Sequence, residues 1–163
     1  QFIKPDETIL LDAGTTTLEI CKMLKTVDYT VRIVTNDIKA AAELIDSRHE
    51  VIILGGTVQQ NVGSMYGSQT IDMLNNIKVN VSFVGTQAMT ISEGIFAPTI
   101  EKAKVKRLMM KCGQAAYLVV DSSKLNHTAF SKICDLKDFT GMITDDSMSQ
   151  KDLEQIAEQT SVI

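Results

Sequence analysis

The chain has 163 residues, 44% of them hydrophobic, and its 16 Lys and Arg against 20 Asp and Glu give a formal charge of −4. That is the length of one ordinary domain with ample apolar side chains for a core, which excludes wholesale disorder. The acidic balance argues against a nucleic-acid module in this segment, 2 prolines leave no Pro-rich linker, and no apolar run of about 18 residues is there to cross a bilayer.

Short runs of Ile, Leu and Val alternate with helical patterns along the whole chain. Thr8 to Asp12 reads as a buried strand and Thr15 to Leu24 as a helix. Val31 to Thr35 is a second strand, Asp37 to Asp46 a second helix, and Glu50 to Leu54 a third strand. Such alternation calls for crossover connections and a mainly parallel sheet, and near-continuous apolar runs suit strands covered on both faces. In the middle, Gly55 to Val58 and Ser64 to Gly67 read as short extended pieces around a turn. Gly67 to Asn75 is a helix, Val79 to Val84 a strand, and Met89 to Ile95 a turn or short edge element. Thr99 to Lys111 predicts a long helix, with Thr99 as its N-cap and Gly113 as its C-terminal glycine. Ala115 to Asp121 and Thr140 to Thr144 are further strands, and Gln150 to Glu158 the last helix. With no repeat and no boundary, the expectation is a single domain over 1–163: α/β, three-layer and Rossmann-like, with helices on both faces of a mainly parallel sheet.

In open parallel sheets ligands bind beyond the carboxyl ends of the strands. The first strand is followed by Asp12-Ala13-Gly14-Thr15-Thr16-Thr17, a tight turn and three hydroxyls opening a helix. Free amides and the positive end of the helix dipole make that an anion site; a well-capped helix explains the same residues. Thr35-Asn36-Asp37 follows the second strand and Gly55-Gly56 the third, the latter a turn without dinucleotide-fingerprint spacing. Asp121-Ser122-Ser123-Lys124 puts a lysine just past a buried strand, either an anion anchor or a solvated surface cation. Together these polar strand ends favour a small sugar or polyol phosphate. Lys102, Lys104, Lys106, Arg107 and Lys111 give the long helix a basic face opposite Ile100, Ala103, Leu108 and Met109. Glu101 and Lys104 share a face from which one could reach a pocket.

Catalytic and metal signals are poor. Cys21, Cys112 and Cys134 are widely spaced, with no Cys/His cluster, and read as reduced cytosolic thiols. Gly63-Ser64-Met65-Tyr66-Gly67 misses the nucleophile-elbow spacing by one position. His49 reads as exposed before a strand, and His127 as a loop residue able to line a pocket. No cofactor motif is present. Asn80-Val81-Ser82 and Asn126-His127-Thr128 match the glycosylation pattern; with no export leader opening the chain, both read as chance.

Taken in order, Leu11 to Thr17, Val34-Thr35-Asn36, Leu54-Gly55-Gly56, Met65-Tyr66-Gly67, Phe83-Val84-Gly85, Glu93-Gly94, Glu101 to Met110, Asp121 to Lys124 and Ile143-Thr144-Asp145 form a familiar series. It resembles the C-terminal effector-sensing domain of DeoR-type bacterial transcriptional regulators over roughly Thr8 to Asp146. The resemblance implies a fold shared with ribose-5-phosphate isomerase and glucosamine-6-phosphate deaminases, used as a receptor for a phosphorylated sugar or polyol. It implies an oligomer in the cytoplasm, no membrane partner, and DNA contact only through an N-terminal helix-turn-helix domain that this chain, beginning at Gln1, lacks. Carried over residue by residue, it places the ligand on Asp12, Gly14, Thr15, Thr16, Thr17, Thr35, Asn36, Gly55, Gly56, Glu101, Lys104 and Lys124, with the phosphate on Thr15 to Thr17 and Lys124. Asp12, Asn36 and Glu101 would then read sugar hydroxyls. Ala13 where the family more often has Ser, and Asn80 where it often has an acid, bear on ligand identity. An isomerase or deaminase of the same fold is the alternative reading, and an oligomerisation module with a degenerate pocket a third.

Overall fold

The structure is a computed structural model that describes residues 2–163, so Gln1, with which the expected domain 1–163 opens, lies outside the described residues. The first half of the chain runs β1 (Thr8–Leu11), α1 (Thr15–Leu24), β2 (Arg32–Thr35), α2 (Ile38–Leu44) and β3 (Glu50–Ile53), then β4 (Thr57–Val58), β5 (Met65–Tyr66) and α3 (Ser68–Asn75). The second half runs β6 (Val79–Gly85), β7 (Ala88–Thr90), β8 (Gly94–Ala97), α4 (Ile100–Cys112) and β9 (Gly113–Val119). It ends with β10 (Ser131–Cys134), β11 (Gly141–Ile143), α5 (Gln150–Ala157) and β12 (Ser161–Val162).

Seven strands form the central sheet in the order β12-β11-β9-β6-β1-β2-β3, every pairing parallel. Alternating side chains divide the core between the two faces, as the period of a strand requires. Ile9, Leu11, Ile33, Val81 and Phe83 pack with Cys21 and Leu24 of α1 and Ala40 and Leu44 of α2. Leu10, Val34 and Val84 face the other way, against Leu74 of α3, Ala103, Val105 and Met109 of α4, and Ile156 of α5. Each fully buried Leu or Ile contributes about 1.5–3 kcal/mol. Two small antiparallel sheets, β10-β8-β7 and β4-β5, complete the α/β fold.

The strand order reverses between β1 and β6. From β1 the chain moves outward through β2 and β3, then returns to β6 and moves the opposite way through β9 and β11. Right-handed crossovers running in opposite directions must put their helices on opposite faces. Hence α1 and α4 lie in different layers but both begin near one crevice, at the carboxyl ends of β1 and β6.

Several sequence expectations change. Gly113 is not a left-handed helix cap: its φ of −78° and ψ of 141° are extended, and α4 runs straight into β9. A Cβ there would meet Ser82 Oγ at 2.7 Å, so glycine serves close packing against β6. The buried stripe of α4 is Ala103, Val105, Met109 and Cys112, whereas Ile100 is exposed. β10 and β12 go unanticipated, since each is a short piece paired at a sheet margin. Thr99 does cap α4, its hydroxyl accepting from the Lys102 amide at 3.2 Å.

Candidate functional site

A cavity of about 490 Å³ opens at the switch point, within the usual size range for small-molecule sites. It is walled by the loop Asp12–Thr17, by Asn36 after β2, by the hairpin segment carrying Asn61 and Tyr66, by Gly85–Gln87 after β6, by Lys102 and Lys106 of α4, and by Asp121 and Lys124 after β9.

The Asp12 carboxylate is buried and fully engaged. Oδ1 accepts from the Ala13 amide at 2.9 Å and Oδ2 from the Gly85 amide at 3.0 Å, and Lys106 donates to Oδ2 as well. The same ammonium donates to the Gly85 carbonyl at 2.9 Å. This ion pair, with side chains 12% and 3% exposed, ties α4 to the ends of β1 and β6. Asn36 is likewise spent on structure. Its Oδ1 accepts from the Ala13 amide at 2.9 Å and its Nδ2 donates to the Met65 carbonyl at 3.1 Å, joining the loop to β5. Asp12 and Asn36 therefore shape the wall rather than offering free groups to hydroxyls.

The loop they hold presents the amino end of α1. Thr17 turns its hydroxyl inward, donating to the carbonyls of Asp12 (2.6 Å) and Gly14 (2.9 Å). The first amide inside the helix to find an acceptor is that of Leu18, which donates to Gly14 at 3.0 Å. Among the described residues nothing accepts from the amides of Thr15, Thr16 and Thr17, and Gly14 supplies no side-chain cap. Three aligned donors at the positive end of a helix dipole open onto the cavity, the physical requirement for binding an anion.

Lysines supply further positive charge. Lys124 donates to Ser123 Oγ at 2.8 Å and stands 3.6 Å from Asp121. The Ser123 hydroxyl, followed by the Lys124 cation, holds the Asp121 carboxyl below its ordinary range. The Lys102 ammonium has no hydrogen-bond or ion-pair partner among the described residues. Burial and then the neighbouring Lys106 cation push its pKa below the ordinary lysine value, against a smaller opposing pull from Asp12. Tyr66 and Gln87 also line the cavity with polar side-chain ends that have no protein partner among the described residues.

Of the residues singled out from the sequence, the structure brings Asp12, Gly14, Thr15, Thr16, Thr17, Asn36 and Lys124 together around the cavity. Thr35, Gly55, Gly56, Glu101 and Lys104 do not line it. Thr35 is fully buried, its hydroxyl accepting from the Asp37 amide at 3.1 Å. The Gly55 carbonyl accepts from Thr70 Oγ1 at 2.5 Å, and Gly56, at φ +137°, turns the chain where a Cβ would strike the Tyr66 carbonyl. Glu101 and Lys104 are exposed. The lysines that do face the cavity are Lys102 and Lys106, which the sequence pattern places only on the basic face of the long helix. They are one turn apart and share a stripe with Val105 and Met109, and that apolar stripe was the available signal. His49 is buried, not exposed, and His127 is exposed outside the cavity. Burial raises the thiol pKa values of Cys21 and Cys134 to about 12 and of Cys112 to about 11, so these thiols are inert. Among the described residues no group of His, Cys, Asp and Glu could hold a metal ion, and no helix is long and apolar enough to cross a membrane.

The sequence matches the model of the DeoR C terminal sensor domain over residues 1–146. The chain belongs to that family. It is 29% identical over 150 residues to the HTH-type transcriptional regulator GlpR of Haloferax volcanii, covering 92% of this chain and 58% of that protein. It is 28% identical over 155 residues to a putative aga operon transcriptional repressor of Escherichia coli O157:H7, covering 94% and 57%. The chain thus spans less than two thirds of the length of these relatives. Ribose 5-phosphate isomerase A from Neisseria gonorrhoeae has the same fold, with a TM-score of 0.53 at 13% identity, covering 76% of this chain and 48% of that one. The family model is that of a sensor domain and the relatives carry transcriptional-regulator names, which favours a sensor over the isomerase alternative.

Proposed function

We propose that this DeoR-type sensor domain is the receptor for a phosphorylated sugar or polyol. The observation that carries the reading is the trio of unpaired amides at Thr15, Thr16 and Thr17, opening into a cavity walled by Lys102, Lys106 and Lys124. A phosphate there receives charge-assisted hydrogen bonds from the helix end and the Thr15 and Thr16 hydroxyls, with Lys124 from the strand end beside it. Tyr66 and Gln87 offer free polar groups to the sugar hydroxyls. Binding changes operator affinity through an N-terminal helix-turn-helix domain outside this chain, in a cytoplasmic homo-oligomer; the repressor name of one relative supports control of sugar metabolism. Allostery of this kind requires the ligand to favour one arrangement of domains or subunits over another.

A thermal-shift screen of the chain with paired phosphorylated and free sugars tests this. A ligand that binds only the folded state raises the melting temperature. Stabilisation by a sugar phosphate and none by its free sugar is expected. Thr16→Glu places a carboxylate where the phosphate would sit, so it abolishes that shift while its own charge suits the helix dipole and leaves the fold intact. An undiminished shift in this variant removes the α1 end from the site.

A further inference from the structure

The cavity is lined by four lysines (Lys39, Lys102, Lys106 and Lys124) and three aspartates (Asp12, Asp37 and Asp121). Each aspartate is already engaged. Asp12 holds Lys106, Asp121 holds Ser123 and stands beside Lys124, and Asp37 caps α2 by accepting from the Lys39 amide at 2.9 Å. Lys39 is exposed, with water to solvate it. Lys102 is different: it is half-buried, and no carboxylate, hydroxyl or carbonyl among the described residues accepts from its ammonium. Even partial burial of a cation without a partner carries a cost, and its neighbour on the same stripe, Lys106, is paired with Asp12.

Position sharpens the point. The unpaired amides belong to α1, in one helical layer, and Lys102 belongs to α4, in the other. Between the two layers, at the ends of β1 and β6, the Asp12 carboxylate is held by Lys106. Lys102 lies one helical turn, about 5.4 Å along the axis, from Lys106 toward the start of α4. The cavity therefore has two sets of positive groups from different helical layers, the α1 amides and Lys102, with the Asp12–Lys106 pair at the strand ends. A phosphate seated on the α1 amides is held from one layer, and a second anionic group on the same carbon skeleton gives Lys102, in the other layer, the partner that the protein does not supply.

From this we infer that the effector carries a second anionic group besides its phosphate, and that Lys102 binds it. The ligand class is a sugar bisphosphate or a phosphorylated sugar acid, and the inference rests on the receptor reading above. Protein amides at Thr15–Thr17 take the phosphate, and Lys102 takes the carboxylate or second phosphate at the far end.

The test is calorimetric titration of the chain with matched probes: glucose 6-phosphate against 6-phosphogluconate, and fructose 6-phosphate against fructose 1,6-bisphosphate. At least one doubly anionic probe should bind about tenfold or more tighter than its monophosphate partner, the gain of one buried charge-assisted contact. The two pairs separate a carboxylate from a second phosphate. In Lys102→Met the preference collapses toward unity, while Lys104→Met, which removes the same charge from the exposed side of α4, retains it. Equal affinity within both pairs of the unaltered chain overturns the inference without any variant and leaves the receptor reading standing. So does a Lys102→Met variant that weakens both classes alike, since Lys102 would then hold the shared phosphate. Binding by none of the four probes or by any other sugar phosphate in the thermal screen overturns the receptor reading, and this inference with it.

Discussion

The two ends of the central sheet treat their polar groups in opposite ways. At the amino end His49, Arg32, Arg48 and Asn80 are paired within the protein. His49 accepts from the Val31 amide through Nδ1 at 3.3 Å, and its Nε2 lies 2.8 Å from the Leu24 carbonyl, so Nε2 carries the proton. Arg32 reaches Glu50 at 2.7 Å, Arg48 the Asp28 carbonyl at 2.8 Å, and Asn80 accepts from the Thr8 amide at 2.9 Å. At the carboxyl end Asp12, Asn36 and Lys106 are paired with equal care, yet they hold in place three amides and one ammonium that are not. The first amides of a helix have no intrahelical acceptor, so at this open end they are free for water or a ligand. Here the paired set is the frame, and the unpaired set it displays is the part addressed to a ligand.

Breaking the frame should have the largest effect. Asp12→Ala leaves the Lys106 cation without its carboxylate and frees the Gly85 amide, while the Ala13 amide keeps Asn36 Oδ1. Removing one partner of a buried ion pair costs about 3–5 kcal/mol. Urea unfolding should show that loss, and Lys106→Met in the same chain should restore a large part of it. A loss below about 1 kcal/mol would mean water reaches the pair and that Asp12 does not organise the crevice.

An intermediate effect is expected at the amino end. His49→Ala leaves the Val31 amide without a partner and takes one of two donors from the Leu24 carbonyl, which keeps the Val27 amide at 3.3 Å; an unsatisfied buried group costs about 1–3 kcal/mol. The stability loss should leave the ligand-induced shift in melting temperature intact, because no ligand-facing group is touched. A variant that loses both would show that the two ends are mechanically coupled and erase the contrast between them.

How much of this was legible in the sequence depends on the kind of information each feature uses. The α1 boundaries, the strands β1 to β3 and the Thr99 cap follow from local patterns, and the Asp12–Thr17 loop stands out because its signal is a run of adjacent residues. Thr35 and Gly55-Gly56 are equally conspicuous locally, but their polar groups turn toward the Asp37 amide and the Thr70 hydroxyl, which sequence order does not reveal. The α4 lysines fail for a sharper reason. Glu101 and Lys104 look like the business end of a helix start, yet a rotation of one residue along α4 selects a different face. The face is fixed by which side chains the sheet buries, Val105 and Met109, and these carry Lys102 and Lys106 with them. His49 looks exposed in sequence because the partners that satisfy its buried imidazole, Val31 and Leu24, lie 18 and 25 residues away.

The smallest expected effect concerns Lys102 in the ligand-free domain. Its pKa in the folded state is lowered, first by burial and then by Lys106. Between that lowered value and the ordinary lysine value reached on unfolding, the unfolded chain binds more protons than the folded one, so stability rises with pH across this window. Below the window both states carry the charged side chain and the folded state bears the full penalty. Lys102→Met should therefore raise the melting temperature of the ligand-free domain at neutral pH. The difference between variant and parent should shrink as pH climbs toward the ordinary lysine range. Taking that difference at each pH cancels the titration of the other lysines. A lower melting temperature for the variant at neutral pH would show that Lys102 stabilises the empty fold, in which case its lack of a partner says nothing about a ligand.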